Sequence, residues 1–302
     1  MAVLGVAITV LMWSTLATSV DLLHGVPTLF VNGVALTIGG LIGVPWAKHW
    51  KLSLGLLAAG SGLMFVYHVI YFYALQLGDP IGVSLLHYLW PVLILCLASR
   101  LSSEQARPRA PYFSAALGFG GAIAACWSVQ GASNEPTMLG HHLLNQVAAY
   151  ALALLSAFAW AGYSVLGKRY SAVSSHAVGA FTLLAGLGCL VLHFSMEQTP
   201  TITTRDWLVL VYMGLGPMGL AFYLWDFGMK RANTSVTTAL SYATPVLSTV
   251  FLALYAARPL TMTLWVGVLL VTASIALARP RPGGQTTQAD LLDELTGTVD
   301  RS

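Results

Sequence analysis

Trp13-Ser14, Tyr67-His68-x-x-Tyr71, His87-Tyr88-x-Trp90 and Trp160-x-x-Tyr163-Ser164 place polar-tipped rings and hydroxyls at close spacing in otherwise apolar sequence, and Tyr223 and Tyr242 add two phenols. Such a ring has an apolar body and a hydrogen-bonding tip, so a group of them can stack on a flat ligand and bond its head. Met64, Tyr67, His68 and Tyr71 follow an i, i+3, i+4, i+7 stripe, as do Ser84, His87, Tyr88 and Pro91, with Trp90 at the border. Each choice has a plainer alternative. Mid-helix tryptophans can be packing elements, His68 and His87 can bond helix to helix, and Tyr223 and Trp225 can be interface belt residues.

Other chemistry lacks its parts. The chain has no phosphate-cradling P-loop, H-E-x-x-H or G-x-S-x-G, so ATP-driven and common hydrolytic mechanisms are not expected. His141-His142 with Glu135 is a weak metal motif, and bis-histidine haem ligation by His68 and His87 is a remote option that an absorbance spectrum would settle. No cofactor and no metal are expected. Cys96, Cys126 and Cys189 lie in separate apolar segments without ligand spacing and read as small buried hydrophobes.

The elements that must position these residues are membrane helices. Of 302 residues, 57% are hydrophobic and 8% charged, with mean hydropathy +0.74. A soluble domain carries about 25% charged residues, so lipid is the expected solvent. A crossing helix needs roughly 20 apolar residues, and such stretches fall near 2–22, 27–47, 53–77, 80–99, 110–129, 145–167, 175–195, 206–228, 234–255 and 260–278. The first has no basic n-region or small-residue cleavage site and reads as a retained helix. Ten alternating helices put Lys48, Lys51, Arg100, Arg107, Arg109, Lys168, Arg169, Lys230, Arg231, Arg279, Arg281 and Arg301 on one side, with Arg205 and Arg258 opposite. That asymmetry makes both termini cytoplasmic. The net charge of +3 then reflects topology, and no nucleic-acid partner is expected. Gly39-x-x-x-Gly43 suits close helix packing and has no expected site role.

The chain also repeats itself. Shifted by 154 residues, Leu54, Leu56, Gly60, Gly62 and Met64 meet Leu208, Leu210, Gly214, Gly216 and Met218; Leu86, Tyr88, Pro91, Val92 and Leu93 meet Leu240, Tyr242, Pro245, Val246 and Leu247. Five helices per half force the halves into opposite orientation. The expected fold is an all-α integral membrane protein, ten transmembrane helices in a five-plus-five inverted repeat around a central cavity. The repeats span 1–139 and 140–279, and 280–302 form a polar cytoplasmic tail. Pro91 and Pro245 lie mid-helix, where each frees a carbonyl and bends the chain. Matched interruptions of inverted halves point to a transporter's binding site; packed kinks without ligand contact are the alternative.

With Trp13-Ser14 near the start and Tyr88-x-x-Pro91 mirrored by Tyr242-x-x-Pro245, residues 1–280 resemble the drug/metabolite transporter superfamily in its EamA-type ten-helix branch. HYLWPVLI at 87–94, after Tyr67, His68 and Tyr71, is similar to the bacterial aromatic amino acid exporters of that branch. The resemblance implies export from cytoplasm to periplasm across the bacterial inner membrane; a monomer or weak dimer is expected. The four-helix members' membrane-embedded Glu in the first helix is missing here. A wall of rings without midplane Lys, Arg, Asp or Glu suits Phe, Tyr and Trp as zwitterions, since a strongly ionic substrate would be buried without a counter-charge. The other readings are a proton-exchanging exporter of neutral amphipathic metabolites or drugs and a membrane-embedded enzyme. The enzyme lacks a carboxylate at depth for an acid–base dyad. Only His68 and His87 can titrate there, so facilitated movement down the substrate's own gradient is expected.

Overall fold

Lipid offers the backbone no hydrogen-bond partner, so apolar sequence satisfies itself as helix. The computed structural model describes residues 1–78, 80–101, 110–127, 141–199, 201–255, 257 and 259–278, and among these there are helices and turns but no strand. The order is α1 (Ala2–Ser14), α2 (Leu16–Leu22), α3 (Thr28–Leu41), α4 (Leu54–Leu77), α5 (Pro80–His87), α6 (Trp90–Leu101) and α7 (Ala110–Trp127). Then follow α8 (His141–Arg169), α9 (Val178–Met196), α10 (Thr204–Leu215), α11 (Ala221–Arg231), α12 (Thr234–Ser241), α13 (Ala243–Tyr255) and α14 (Met262–Ala278). Six helical stretches of the described residues are long and apolar enough to cross a membrane: Ala2–Leu22, Leu54–Leu77, Leu143–Arg169, Ser175–Met196, Thr204–Arg231 and Thr234–Tyr255. Thr28–Leu41, Gly82–Ala98 and Met262–Ala278 are apolar but shorter. The tail 280–302, Glu135 and the side chains of His141 and His142 lie outside the described residues.

Several of these helices are interrupted, and the interruptions have chemical causes. Pro91 has no N–H to give the His87 carbonyl, and Pro245 none for Ser241. Accordingly α5 ends at His87 and α12 at Ser241. The chain tightens there into three-residue bonds, Leu89 N–H to Leu86 O at 3.2 Å and Tyr242 N–H to Ala239 O at 3.2 Å. Pro217 does the same between α10 and α11, where Gly216–Leu220 widens into a π-helical turn. The α1–α2 break at Thr15 has no proline; Thr15 Oγ bonds back to Met12 O at 2.7 Å.

Packing joins helices that are far apart in the sequence. The most extensive pairings are α7 with α14, α3 with α9 and α4 with α8; α1 lies on α11 and α13, and α6 on α8. Small residues bring the backbones together. A Cβ on Gly39 would stand 2.4 Å from Met218 O and one on Gly43 2.9 Å from Gly179 Cα, so the expected packing role of this pair holds. The main core gathers where α1, α4, α6, α8 and α11 meet, around Val6, Met64, Ile94, Trp160 and Trp225.

Candidate functional site

Where α1, α4, α5, α6, α8, α11 and α13 converge, a cavity of about 410 Å³ opens. Trp13, Tyr67, His68, Tyr71, His87, Tyr88, Trp90 and Trp160 line it together with Pro245. The cavity runs up to Val20, Leu75 and Leu252, near the C-terminal ends of α2, α4 and α13. At its other end four indoles close it. Trp13 lies edge-on to Trp160 at 5.4 Å and 5.2 Å from Trp225, and Trp90 meets Trp225 edge-on at 5.3 Å. Two indole N–H groups are tied down, Trp13 Nε1 to Pro217 O at 3.1 Å and Trp225 Nε1 to Ser164 Oγ at 3.0 Å. The π-turn thus offers Trp13 a carbonyl, and the bond fixes the ring's angle.

The histidines have assignable tautomers. His68 Nδ1 stands 2.7 Å from Met64 O, a pure acceptor, so Nδ1 carries the hydrogen. His87 Nδ1 is 2.9 Å from Ser156 Oγ, whose own hydrogen goes to Ala153 O at 2.6 Å; His87 must donate as well. Both neutral rings therefore keep Nε2 as an acceptor. Tyr67 stacks on His87 at 5.4 Å and on Tyr71 at 6.0 Å, and touches Trp160 at 5.0 Å, so α4, α5 and α8 form one continuous aromatic wall. Among the described residues lining this cavity there is no Lys, Arg, Asp or Glu. The arrangement can stack a planar group, accept hydrogen bonds from an ammonium through imidazole, and offer phenol O–H groups to a carboxylate.

Other candidate residues sit elsewhere. Ser14 is fully buried and bonds Val10 O at 2.6 Å and Thr244 O at 3.3 Å, joining α1 to α13. Tyr163 stacks beneath Trp160 at 5.5 Å, on the far side of the ring layer. Ser164 holds Trp225 and donates to Trp160 O at 2.9 Å. Tyr223 donates to Gly39 O at 2.9 Å, bracing α11 on α3. Tyr242 is wholly buried against α7, where a Cβ on Gly118 would meet its ring at 2.3 Å. Pro91 is buried and is not among the residues lining the cavity. Trp225 is no belt residue: it is fully buried in the indole layer. Sequence reasoning passed over Thr244, Ser248 and Thr249, which line the cavity from α13. Their signal was present, since Ser241, Thr244 and Ser248 continue one polar stripe through the Pro245 kink.

Known proteins carry the same architecture. The EamA-like transporter family matches residues 1–127 and 147–279. An aromatic amino acid exporter YddG of Ancylobacter novellus is 33% identical over 250 residues, covering 80% of this chain and 84% of that protein. The Escherichia coli K12 protein of the same name is 28% identical over 279 residues, covering 87% and 92%. A solved crystal structure superposes with a TM-score of 0.82 at 30% identity, over 92% of this chain and 96% of that one. With a matching family profile over most of its length and apolar helices around a ring-walled cavity, this chain belongs to the EamA-like transporter family, and it is a multi-pass membrane transporter rather than an enzyme.

Proposed function

We propose that the protein exports aromatic amino acids, and other hydrophobic neutral ones less well, from cytoplasm to periplasm. The observation that supports this most is the cavity itself: indoles, phenols and two acceptor imidazoles, with no charged residue among the described residues of the lining. A pocket of this size suits a single small molecule. A zwitterion brings its own compensating charges, so its head needs dipoles rather than an ion. In this reading Trp13, Tyr67, Tyr71, Tyr88, Trp90 and Trp160 hold the ring, and His68 and His87 accept from the ammonium. Ser14, Tyr163, Ser164, Tyr223 and Tyr242 support them from behind, with Pro91 and Pro245 as hinges.

The transport cycle we propose is alternating access in a ten-helix, five-plus-five inverted repeat (1–139 and 140–279) with both termini cytoplasmic. Reciprocal pairings support it. α4 on α8 mirrors α11 on α1, and α6 on α8 mirrors α13 on α1, as exchange of two inverted halves requires. The family match falls in two segments, 1–127 and 147–279, one on each side of the proposed boundary. With that orientation the cavity opens to the periplasm and the indole layer closes the cytoplasmic side.

Transport is proposed to be facilitated, because the membrane potential does no net work on a neutral zwitterion. Counterflow of labelled phenylalanine in proteoliposomes should persist with protonophore and valinomycin present. Uphill accumulation driven by an imposed pH gradient, and lost in His68→Gln or His87→Gln, would instead establish histidine-linked proton exchange. His68 and His87 sharing one cavity give that second reading its footing.

A further inference from the structure

Behind the indole layer the transporter holds a charge pair that the ring-lined cavity does not use. Asp226 and Lys230 sit one turn apart on α11, Oδ2 to Nζ at 2.6 Å, with side chains 5% and 8% exposed. Two helices straddle the layer. On α11, Phe222 lines the ring cavity and Asp226 the far side; on α8, Trp160 lines the cavity and Tyr163 the far side. Asp226, Lys230 and Tyr163 border a void of about 10 Å³, room for one water, and the Tyr163 hydroxyl has no hydrogen-bond partner there. Gly167 lets the carboxylate lie close against α8, since a Cβ on it would stand 2.6 Å from Asp226 Oδ1. Lys230, Val173 and Ser174 also border a surface cavity of about 560 Å³ between the 171–176 segment and α11. The small void and the surface cavity thus share Val173, Ser174 and Lys230 in their walls.

We infer that Asp226, Lys230 and Tyr163 form a second substrate site, which receives the zwitterionic head of an amino acid on the face opposite the ring cavity. This inference rests on the amino-acid reading above. Two opposite charges on one helix face complement a molecule that carries ammonium and carboxylate on one carbon. The ammonium takes Asp226, the carboxylate takes Lys230 in place of its 2.9 Å bond to Val173 O, and the free Tyr163 O–H adds a donor. A ligand of single charge would leave one member of the pair buried and unpaired. Both charges lie on α11, so one helix presents both groups together.

Exchange of labelled phenylalanine in inside-out and right-side-out membrane vesicles tests this, with concentration varied on one face at a time. Asp226→Asn/Lys230→Met removes both charges at once, so neither is left alone in the fold. It should raise the half-saturating concentration on the 171–176 face by about tenfold or more while the ring-cavity face changes less than about twofold. The wild type should reject N-acetylphenylalanine and phenylalaninamide on the 171–176 face, and the double variant should discriminate less. Equal shifts on both faces, or none, would overturn the inference and leave the ring cavity's role untouched. A wild type that moves no aromatic amino acid would overturn the amino-acid reading, and this site with it.

Discussion

At the scale of single residues, the ring wall and the histidine tautomers are where specificity resides. Trp160 touches Tyr67, Trp13, Tyr163 and Phe222, so it both walls the cavity and keys its floor. Trp160→Ala or Trp90→Ala should weaken phenylalanine more than leucine, by about 0.5–1.5 kcal/mol or roughly two- to tenfold, in competition assays. Equal loss for both substrates would make the indoles packing elements. Ser156→Ala removes the acceptor that fixes His87 Nδ1–H. Apparent affinity should fall about two- to tenfold, matching one lost hydrogen bond of roughly 0.5–1.5 kcal/mol, at unchanged folded yield. The rings were legible in the sequence because aromatic residues at mid-depth are out of place in a span. Ser156 was not, because a lone serine in LALLSAFAW has no periodic signal, and its role depends on a partner 69 residues away.

The mirrored prolines were legible at the scale of elements, since an offset of 154 residues superposes Tyr88-x-x-Pro91 on Tyr242-x-x-Pro245 and both helices break one turn before the ring. The π-turn at Gly216–Leu220 was not legible. The residue matched to Pro217 is Leu63, inside the unbroken α4, so repeat logic hid a break that one half alone possesses. Pro91→Ala and Pro245→Ala should each restore a ladder bond and cost transport about tenfold per folded molecule, because hinges set the rate of opening. Rates equal to wild type at equal folded amount would make the kinks static. Purified variants should melt no lower than wild type, which separates loss of motion from loss of fold.

For the whole molecule, composition and apolar lengths foretold a helical membrane protein, but which rings face the cavity needed coordinates. Composition cannot tell a ring that faces a cavity from one, like Tyr242, sealed against a neighbouring helix. Topology has its own test. With the native cysteines replaced (Cys126 lines the cavity), Thr199→Cys and Ala257→Cys should label with an impermeant thiol reagent on intact cells, whereas Ser174→Cys should not. Labelling of Ser174→Cys would break the proposed orientation; Gly131, expected to label, and Ser103, expected not to, lie outside the described residues. The central claim is that an uncharged, ring-walled cavity selects aromatic zwitterions. Counterflow of labelled phenylalanine in proteoliposomes, competed by unlabelled amino acids, tests it most directly. Tyrosine and tryptophan should compete as well as phenylalanine does, leucine less well, and glutamate and lysine not at all; competition by glutamate or lysine equal to that of tyrosine would contradict the account.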